Sequence, residues 1–298
     1  MKSEISKILG SIFIIGIMLM GIDWVFGRVA DHFFIGSRGS KVEYCMSGGV
    51  DADLVVLGSS RAHHHYDTKF ITDSLHIQAF NAGFDGRGLT AHLCLLQAIY
   101  ENATPRIVVL ELLPDDLSGT LNNRVDLLKR YYRVNDEVRS VMDMVDSSNK
   151  LLTYFSLYRY NSELLKSVEE YMFPYTNADD GYAPLDAVYD ENLAVTPQTL
   201  DDRVDPVALS CLEQIVELAE EHGTELVVAI SPELFERVES SPVEEYCSIY
   251  GVPFIDNSAL SEFRMHTEWF NDAWHMNRTG ARYYTELFIS QLQKLDLI

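Results

Sequence analysis

Short apolar runs that each end in a polar or glycine-containing turn are the feature that most limits the folds open to this chain. One run, at residues 53–57, leads directly into Gly58 and Ser59, and the clearest run lies at residues 106–112. Continuous apolar runs of this length are typical of strands that are buried on both faces of a parallel sheet. The sequence predicts five such strands, at residues 53–57, 77–80, 106–112, 225–230 and 253–255.

Amphipathic patterns lie between and after these runs and predict helices. They occupy residues 89–100, 206–222 and 279–295, and Gly223 is a natural stop for the second. Strands that alternate with helices at this spacing indicate an α/β fold with a mostly parallel sheet. We therefore predict a three-layer α/β/α domain with a five-stranded parallel sheet over residues 51–298.

The third and fourth predicted strands are separated by a long segment, residues 117–204. Its first half has a helical pattern rich in tyrosine, and its second half, from Pro174, is irregular, polar and acidic. Long insertions after strand carboxyl ends commonly shape a pocket. We predict that this segment is a helical cap inserted into the domain.

The N-terminus carries an apolar segment of its own. Lys2 and Lys7 precede an uninterrupted run of apolar or small residues at 8–22, and Asp23 and Trp24 follow it. The run suits the core of a signal sequence, but no convincing small-x-small cleavage site follows, and with residues 24–26 at the far interface it reaches membrane length. We predict an uncleaved signal anchor at residues 1–26 with a cytoplasmic N-terminus, followed by a juxtamembrane connector at 27–50. A buried core helix is the alternative.

Charge and cysteine content exclude several classes of protein. Lys plus Arg number 23 and Asp plus Glu number 45, for a formal net charge of −22. Such an acidic surface repels phosphate backbones, so we expect no nucleic-acid partner. The four cysteines include no C-x-x-C pair and suit no zinc site, and a Cys45–Cys247 disulfide stays open.

Consecutive histidines at residues 63–65 raise the question of a metal. Neighbouring residues do not converge easily on one ion, and no cysteine or carboxylate cluster is evident beside them in the sequence. We therefore expect neither a metal nor another cofactor, and we interpret these histidines as surface or pocket-rim residues.

Three groups of chemically active residues follow predicted strands, which is where open α/β sheets place their sites. The first is Gly58-Ser59-Ser60-Arg61, a small turn that can expose a serine hydroxyl together with its backbone N–H. A serine that only caps a helix is the alternative here. The second is the loop at residues 81–88, whose three glycines let backbone N–H groups approach a ligand.

The third group is Asp272-Ala273-Trp274-His275, directly before the last predicted helix. An aspartate and a histidine three residues apart can face the same way. The carboxylate then holds Nδ1–H of the imidazole and leaves Nε2 as a base.

Together these three groups resemble the SGNH, or GDSL-like, hydrolases. The form Gly-Ser-Ser-Arg with Asn-Ala-Gly-x-Asp-Gly is similar to an envelope-associated branch that includes the D-alanyl transfer protein of teichoic-acid modification and the alginate acetylation proteins. Relatives in that branch also carry an N-terminal membrane anchor. The resemblance covers residues 53 to about 290, without the insertion.

The resemblance implies a role for each matching residue. Ser60 would be the nucleophile, with His275 and Asp272 completing the triad. The N–H groups of Ser60 and Gly86 would form the oxyanion hole, with Asn81 as a further candidate. The family's usual third donor, an asparagine, is replaced here by Asp115, whose ionised carboxylate would repel an oxyanion.

The expected activity is that of a membrane-anchored serine esterase or O-acyltransferase on acyl esters, such as acetyl esters, of cell-envelope carbohydrate. Arg61 and Trp274 are the expected substrate-binding residues, and Trp269 flanks the same site. The expected partners are an acylated carbohydrate or other small ester, the membrane, and a membrane-embedded acyltransferase, with the catalytic domain outside the cytoplasm. The alternative is a non-catalytic or partner-dependent scaffold of an acylation complex.

Overall fold

The computed structural model describes residues 2–118, 124–145, 148, 150–161, 163–190, 203–234 and 241–298. Within them, five parallel strands form one sheet in the order β2-β1-β3-β4-β5. The strands are β1 (Leu54–Gly58), β2 (Ala79–Asn81), β3 (Ile107–Glu111), β4 (Glu225–Ile230) and β5 (Phe254–Asp256). The predicted α/β fold with a five-stranded parallel sheet is therefore confirmed.

The central strands are buried because they consist almost entirely of Val, Leu and Ile. Every residue of β1 and of β3 is buried. Leu54 pairs with Ile107, and Gly58 pairs with Glu111, so the carboxyl ends of these two strands lie side by side. A turn after β1 and a side chain at the end of β3 are thereby brought to one edge of the sheet.

Helices cover both faces of the sheet, which makes the domain three-layered. One apolar cluster joins the sheet to the helices at 89–100 and 206–222, and the other joins it to the helices at 68–75 and 278–294. The described helices are α1 (Lys2–Phe34), α2 (Lys41–Met46), α3 (Ser60–His65), α4 (Thr68–Leu75), α5 (Leu89–Tyr100), α6 (Asp136–Val145), α7 (Lys150–Thr153), α8 (Ser156–Arg159), α9 (Leu164–Met172), α10 (Pro206–His222), α11 (Pro242–Tyr250), α12 (Ser261–Met265) and α13 (Arg278–Lys294).

Local capping fixes where the later helices begin and end. The Asp205 side chain accepts from Val207 N–H at the start of α10, and Gly223 closes that helix in the left-handed region. Asn277 accepts from the N–H groups of Thr279 and Gly280 at the start of α13. Helix α13 therefore begins immediately after the predicted Asp-x-x-His group, as the sequence indicates.

Helix α1 is longer than the predicted anchor. It is apolar and long enough to cross a membrane, and its apolar window is exposed throughout. It continues past residue 26 to Phe34, so the predicted connector at 27–50 begins as helix. Gly27 lies within this helix, and an added Cβ there would overlap the Ser156 side chain of α8. This glycine allows two helices to approach closely.

The segment at 117–204 contains short helices joined by turns where it is described up to Met172. Residues 119–123, 146–147, 149, 162 and 191–202 lie outside the description. The stretch that follows passes over the carboxyl edge of the sheet. Asn81 N–H donates to Asp180 O, Ala183 N–H donates to His63 O, and Tyr189 N–H donates to Phe270 O. This segment therefore connects the strand-end loops that the sequence singled out.

Candidate active site

Ser60, His275 and Asp272 lie within hydrogen-bonding distance of one another. Ser60 Oγ is 2.8 Å from His275 Nε2, and His275 Nδ1 is 2.9 Å and 3.0 Å from the two carboxylate oxygens of Asp272. Because Nδ1 faces a carboxylate, it carries the proton, and Nε2 is left to accept the proton of the serine hydroxyl. The arrangement can deprotonate Ser60 as it attacks an electrophile.

Asp272 is held by the backbone of its own loop. Its Oδ1 accepts from the N–H groups of Trp274 (2.8 Å) and His275 (2.9 Å), and its Oδ2 accepts from the Asn271 side chain (3.1 Å). Partial burial raises the pKa of Asp272, but the hydrogen bond from His275 and these further donors outweigh it and lower the pKa to about 2. The carboxylate is therefore ionised at any pH at which the imidazole acts as a base.

The turn that carries Ser60 depends on Gly58. Its φ is 146°, a region that side chains rarely adopt, and an added Cβ would overlap the backbone carbonyl of Glu111 on β3. Ser60 is the first residue of α3, so its N–H has no acceptor within the helix. Ser59 is buried in the turn and makes no capping bond with its side chain. Ser60 is thus the serine of the pair that faces His275.

Arg61 does not contact the space in front of Ser60, contrary to its predicted role in substrate binding. It is 1% exposed and lies beneath the turn, 2.9 Å from Glu233 and 3.3 Å from Glu111. Its guanidinium also donates to the Ser231 hydroxyl and carbonyl oxygens. A buried arginine needs such carboxylate partners, and they turn the side chain into the interior.

His65 connects this buried network to the loop that carries His275. Its Nε2 accepts the backbone N–H of Met276, the residue after His275, at 2.9 Å. Its Nδ1 must then carry the proton, which it donates to Ser231 Oγ at 2.7 Å. Ser231 Oγ in turn donates to Glu111 Oε1 at 2.5 Å, and burial lowers the pKa of His65. A neutral His65 therefore joins the end of β3 to the His275 loop.

The glycine loop after β2 lies against α3. Gly83 approaches so closely that an added Cβ would be 2.6 Å from His63 N, and Gly86 has a φ of 64°. Asn81 is buried, and its amide group donates to the carbonyls of Ala62 (2.6 Å) and Tyr66 (3.1 Å). Its two amide hydrogens are thus used to fix the loop, so the side chain of Asn81 is not an oxyanion donor. The roles of Gly86 and Ser60 as backbone donors stay predictions.

The turn after β3 carries the acidic pair 115–116. Asp116 is buried and accepts the Leu113 N–H at 2.7 Å, whereas Asp115 is partly exposed. Burial raises the pKa of Asp116 to about 7; the Leu113 N–H and Arg61 oppose this rise, and Asp115 and Glu111 add to it. The Asp116 carboxyl group thus closes the turn, and Asp115 stays partly exposed beside it.

Trp269 and Trp274 differ in surroundings. Trp269 stacks on His266, with ring centroids 4.1 Å apart, and on Tyr283, at 4.5 Å, so it packs the base of the loop. Trp274 is partly exposed in the loop between Asp272 and His275. Its role in binding substrate stays a prediction.

His63 and His64 converge on Asp85 of the glycine loop, which sequence spacing does not reveal. Their imidazole nitrogens lie 2.8 Å and 3.2 Å from Asp85 Oδ1, and His64 Nδ1 also lies 2.6 Å from Ala183 O. Two imidazoles and a carboxylate are ligands that a divalent ion accepts. Hydrogen bonds to the carboxylate account for the same geometry. The hydrogen bonds from His63 and His64 lower the pKa of Asp85. Burial lowers the pKa of His63 to about 4.

A cavity of about 340 Å³ borders α3 at His63. Its other walls include Phe84 of the glycine loop, Tyr175, and Lys41 from α2. Lys41 Nζ donates to Gly181 O at 2.9 Å and lies 4.7 Å from the centroid of the Phe84 ring. Burial lowers the pKa of Lys41 to about 7, although Cys45 and Asp85 oppose the shift. A cavity with His63, Tyr175 and Lys41 in its walls thus opens beside the helix that carries Ser60.

Sequence reasoning missed Glu111 and Ser231 because each looks ordinary in its segment. It interpreted His65 as a surface or pocket-rim residue, but His65 is fully buried. One sequence signal was available: an ionisable residue at the end of an otherwise apolar strand, as Glu111 is in Ile107–Glu111, needs a buried partner. The partners come from distant segments, and only the fold brings them together.

Comparison with known proteins gives likenesses to solved structures alone. No family model and no curated protein matches the sequence. A GDSL-like lipase from Bacteroides thetaiotaomicron aligns at 12% identity over 87% of this chain and 99% of its own, with a TM-score of 0.42. A proposed acylhydrolase from Bacteroides fragilis aligns at 12% identity over 86% of this chain and 96% of its own, with a TM-score of 0.41. Likenesses this distant do not decide the activity.

Proposed function

We propose that this protein is a serine-dependent esterase or O-acyltransferase that acts on acyl esters. One observation carries the proposal: the continuous hydrogen-bonded chain from Ser60 Oγ through His275 to Asp272. The same three residues stand at the carboxyl edge of a parallel sheet, where α/β enzymes place their sites. A capping serine alone would not need a histidine and a carboxylate aligned behind it.

In the proposed reaction, Ser60 Oγ attacks the ester carbonyl carbon as His275 Nε2 takes its proton. The tetrahedral intermediate collapses, the ester C–O bond breaks, and the imidazolium gives its proton to the departing alkoxide. Water or a carbohydrate hydroxyl then attacks the acyl-serine in the same way. The Asp272 carboxylate stabilises the imidazolium in both halves of the reaction.

The oxyanion would be held by backbone donors. Ser60 N–H has no acceptor within its helix. Gly86 has a left-handed backbone conformation that residues with a Cβ rarely adopt, so glycine at this position allows the loop to present its backbone N–H as a donor. Because the Asn81 amide is occupied, we propose a two-donor hole.

The substrate class is a proposal that rests on the sequence resemblance and on the anchor. We propose an acyl group, such as acetyl, on envelope carbohydrate, with a domain held outside the cytoplasm by helix α1. A membrane-embedded acyltransferase is the proposed donor of acyl groups. The cavity beside His63, with Tyr175 and Lys41 in its walls, offers polar groups for sugar hydroxyls.

A fluorophosphonate probe tests the central step, since it labels only activated serines. The full-length protein in detergent should be labelled stoichiometrically, and the Ser60→Ala protein should not be labelled. Ser59→Ala is the matched control and should label like wild type, because the Ser59 side chain makes no capping bond. Equal labelling of wild type and Ser60→Ala would refute the nucleophile, and an inert wild type would favour the scaffold alternative.

A further inference from the structure

The helices next to α1 bury polar side chains and expose apolar ones, which is the reverse of the pattern expected in a soluble protein. On α9, Ser167 is 1% exposed, and Glu170 faces the domain to pair with Arg130 at 3.2 Å. The opposite side of the same helix presents Leu165, which is 84% exposed, together with Met172. A soluble helix places its apolar side against the core, so this reversal indicates that the outer side meets something other than water.

The reversal extends over the neighbouring segments. We call the following set the cap face: Leu151, Leu157, Leu165, Tyr171, Met172 and Phe173, all exposed on or beside α7, α8 and α9. Between α1 and these helices lies a groove of about 370 Å³, with Phe26, Leu157 and Leu165 among its walls. The cap face therefore contains several exposed apolar side chains, and the groove connects two of them, Leu157 and Leu165.

The position of the cap face follows from the length of α1. Residues 3–22 would span about 30 Å, the thickness of a bilayer's hydrocarbon core. Asp23 follows at once, and its carboxylate accepts from the backbone N–H groups of Ser156 (3.0 Å) and Leu157 (2.8 Å) at the start of α8. Asp23 thus caps α8, and no linker separates the apolar segment from the cap.

Aromatic residues lie on α1 beyond the apolar segment and on the adjoining cap helix. Trp24 is exposed on α1, and Phe33 of α1 contacts Tyr171 edge to face with ring centroids 5.6 Å apart. Tryptophan and tyrosine concentrate at membrane interfaces, where an apolar ring and a polar tip are both satisfied.

We propose that the cap face lies in the interfacial layer of the bilayer around α1, and that lipid acyl chains cover its apolar side chains. The proposal rests on α1 being the membrane anchor and is independent of the ester chemistry. This arrangement differs from a domain tethered by a flexible connector, because the catalytic domain would contact the membrane in one fixed orientation.

The test places an environment-sensitive fluorophore on single introduced cysteines in the full-length protein, reconstituted in nanodiscs that contain only this protein and lipid. The described cysteines are buried, so labelling of wild type gives the background. Leu165→Cys and Phe173→Cys probe the cap face. Ile249→Cys and Met265→Cys are matched controls, since both are apolar, exposed and outside the cap face. Met18→Cys reports on the anchor itself.

Lipid carrying a shallow spin label should quench the fluorophore at positions 165 and 173 severalfold more than at 249 and 265, with blue-shifted emission at the first pair. Equal quenching at all four positions, with position 18 quenched, would overturn the cap-face proposal and leave the anchor in place. An unquenched position 18 would overturn both. If position 165 is shielded in native membranes but not in lipid-only nanodiscs, a protein partner covers the face and the lipid proposal is wrong.

Discussion

The two sides of the candidate site are held in different ways. The nucleophile turn stands over a buried network in which Arg61, Glu111 and Glu233 come from three distant segments. The base loop is partly exposed, and most of its bonds are short-range, from the N–H groups of Trp274 and His275 to Asp272. Besides the Ser60–His275 hydrogen bond, His65 joins the two sides. The difference indicates that serine placement depends on the whole fold and base placement mainly on local sequence.

The strongest test of the comparison asks whether the two sides act as one unit. Ser60→Ala and His275→Ala should each lower kcat on p-nitrophenyl acetate by about 10³-fold or more, and the double variant should lose little beyond either single one. Steady-state kinetics of the three proteins measures this. Losses that multiply in the double variant would show that the two residues do not share a step.

Asp272→Asn tests the loop of Asp272 and His275 alone. The amide would keep the size of the carboxylate but remove the charge that stabilises the imidazolium, so kcat should fall by about 10²- to 10⁴-fold while the fold is retained. Kinetics with a circular-dichroism melt as control would separate chemistry from stability. A variant with near-normal turnover would remove Asp272 from the mechanism.

Gly86→Val tests whether the glycine loop belongs to the site. The φ of 64° is strained for any residue with a Cβ, and a shifted N–H would remove one oxyanion donor, so kcat should fall by about 10²-fold. Gly223→Val is the control, because Gly223 has a similar φ of 65° at a helix end away from Ser60. Normal turnover in a folded Gly86→Val protein would exclude Gly86 as a donor.

His65 tests the contact between the two sides. His65→Leu removes the acceptor of the Met276 N–H, so the His275 loop should shift from its position. We expect kcat to fall by about 10-fold with little change in KM. His65→Gln offers an amide oxygen to that N–H and should recover part of the loss. If both variants lower only the melting temperature and leave kcat unchanged, His65 is structural and has no positioning role.

Asp116 gives the smallest expected effect, on stability alone. Its folded pKa of about 7 lies above the ordinary 3.8, so between these values the folded protein holds a proton that the unfolded chain releases. Stability should therefore fall as pH rises from about 4 to about 7, and Asp116→Asn should flatten this part of the profile. Urea unfolding across that range measures it. An unchanged slope in the variant would assign the pH dependence to other groups.

The anchor region shows how a local pattern can mislead. Gly27 and the small polar residues near it indicate a connector, yet α1 runs on to Phe34. The helix continues because Ser156 packs against Gly27 and the backbone of α8 binds Asp23. Neither contact is visible from the sequence near residue 27, because both partners lie in the inserted segment.

The sequence by itself determined the parallel sheet and the motif residues Ser60, Asp272 and His275, since apolar runs and short-range spacing depend on neighbours along the chain. Tertiary structure decided which polar residues border the candidate site and which are buried. It turned Arg61 inward to Glu111 and Glu233. It also placed the Asn81 amide in hydrogen bonds to backbone carbonyls and brought Asp85 to His63 and His64. The physical reason is that a buried charge or amide takes its position from its partners, and those partners are distant in sequence.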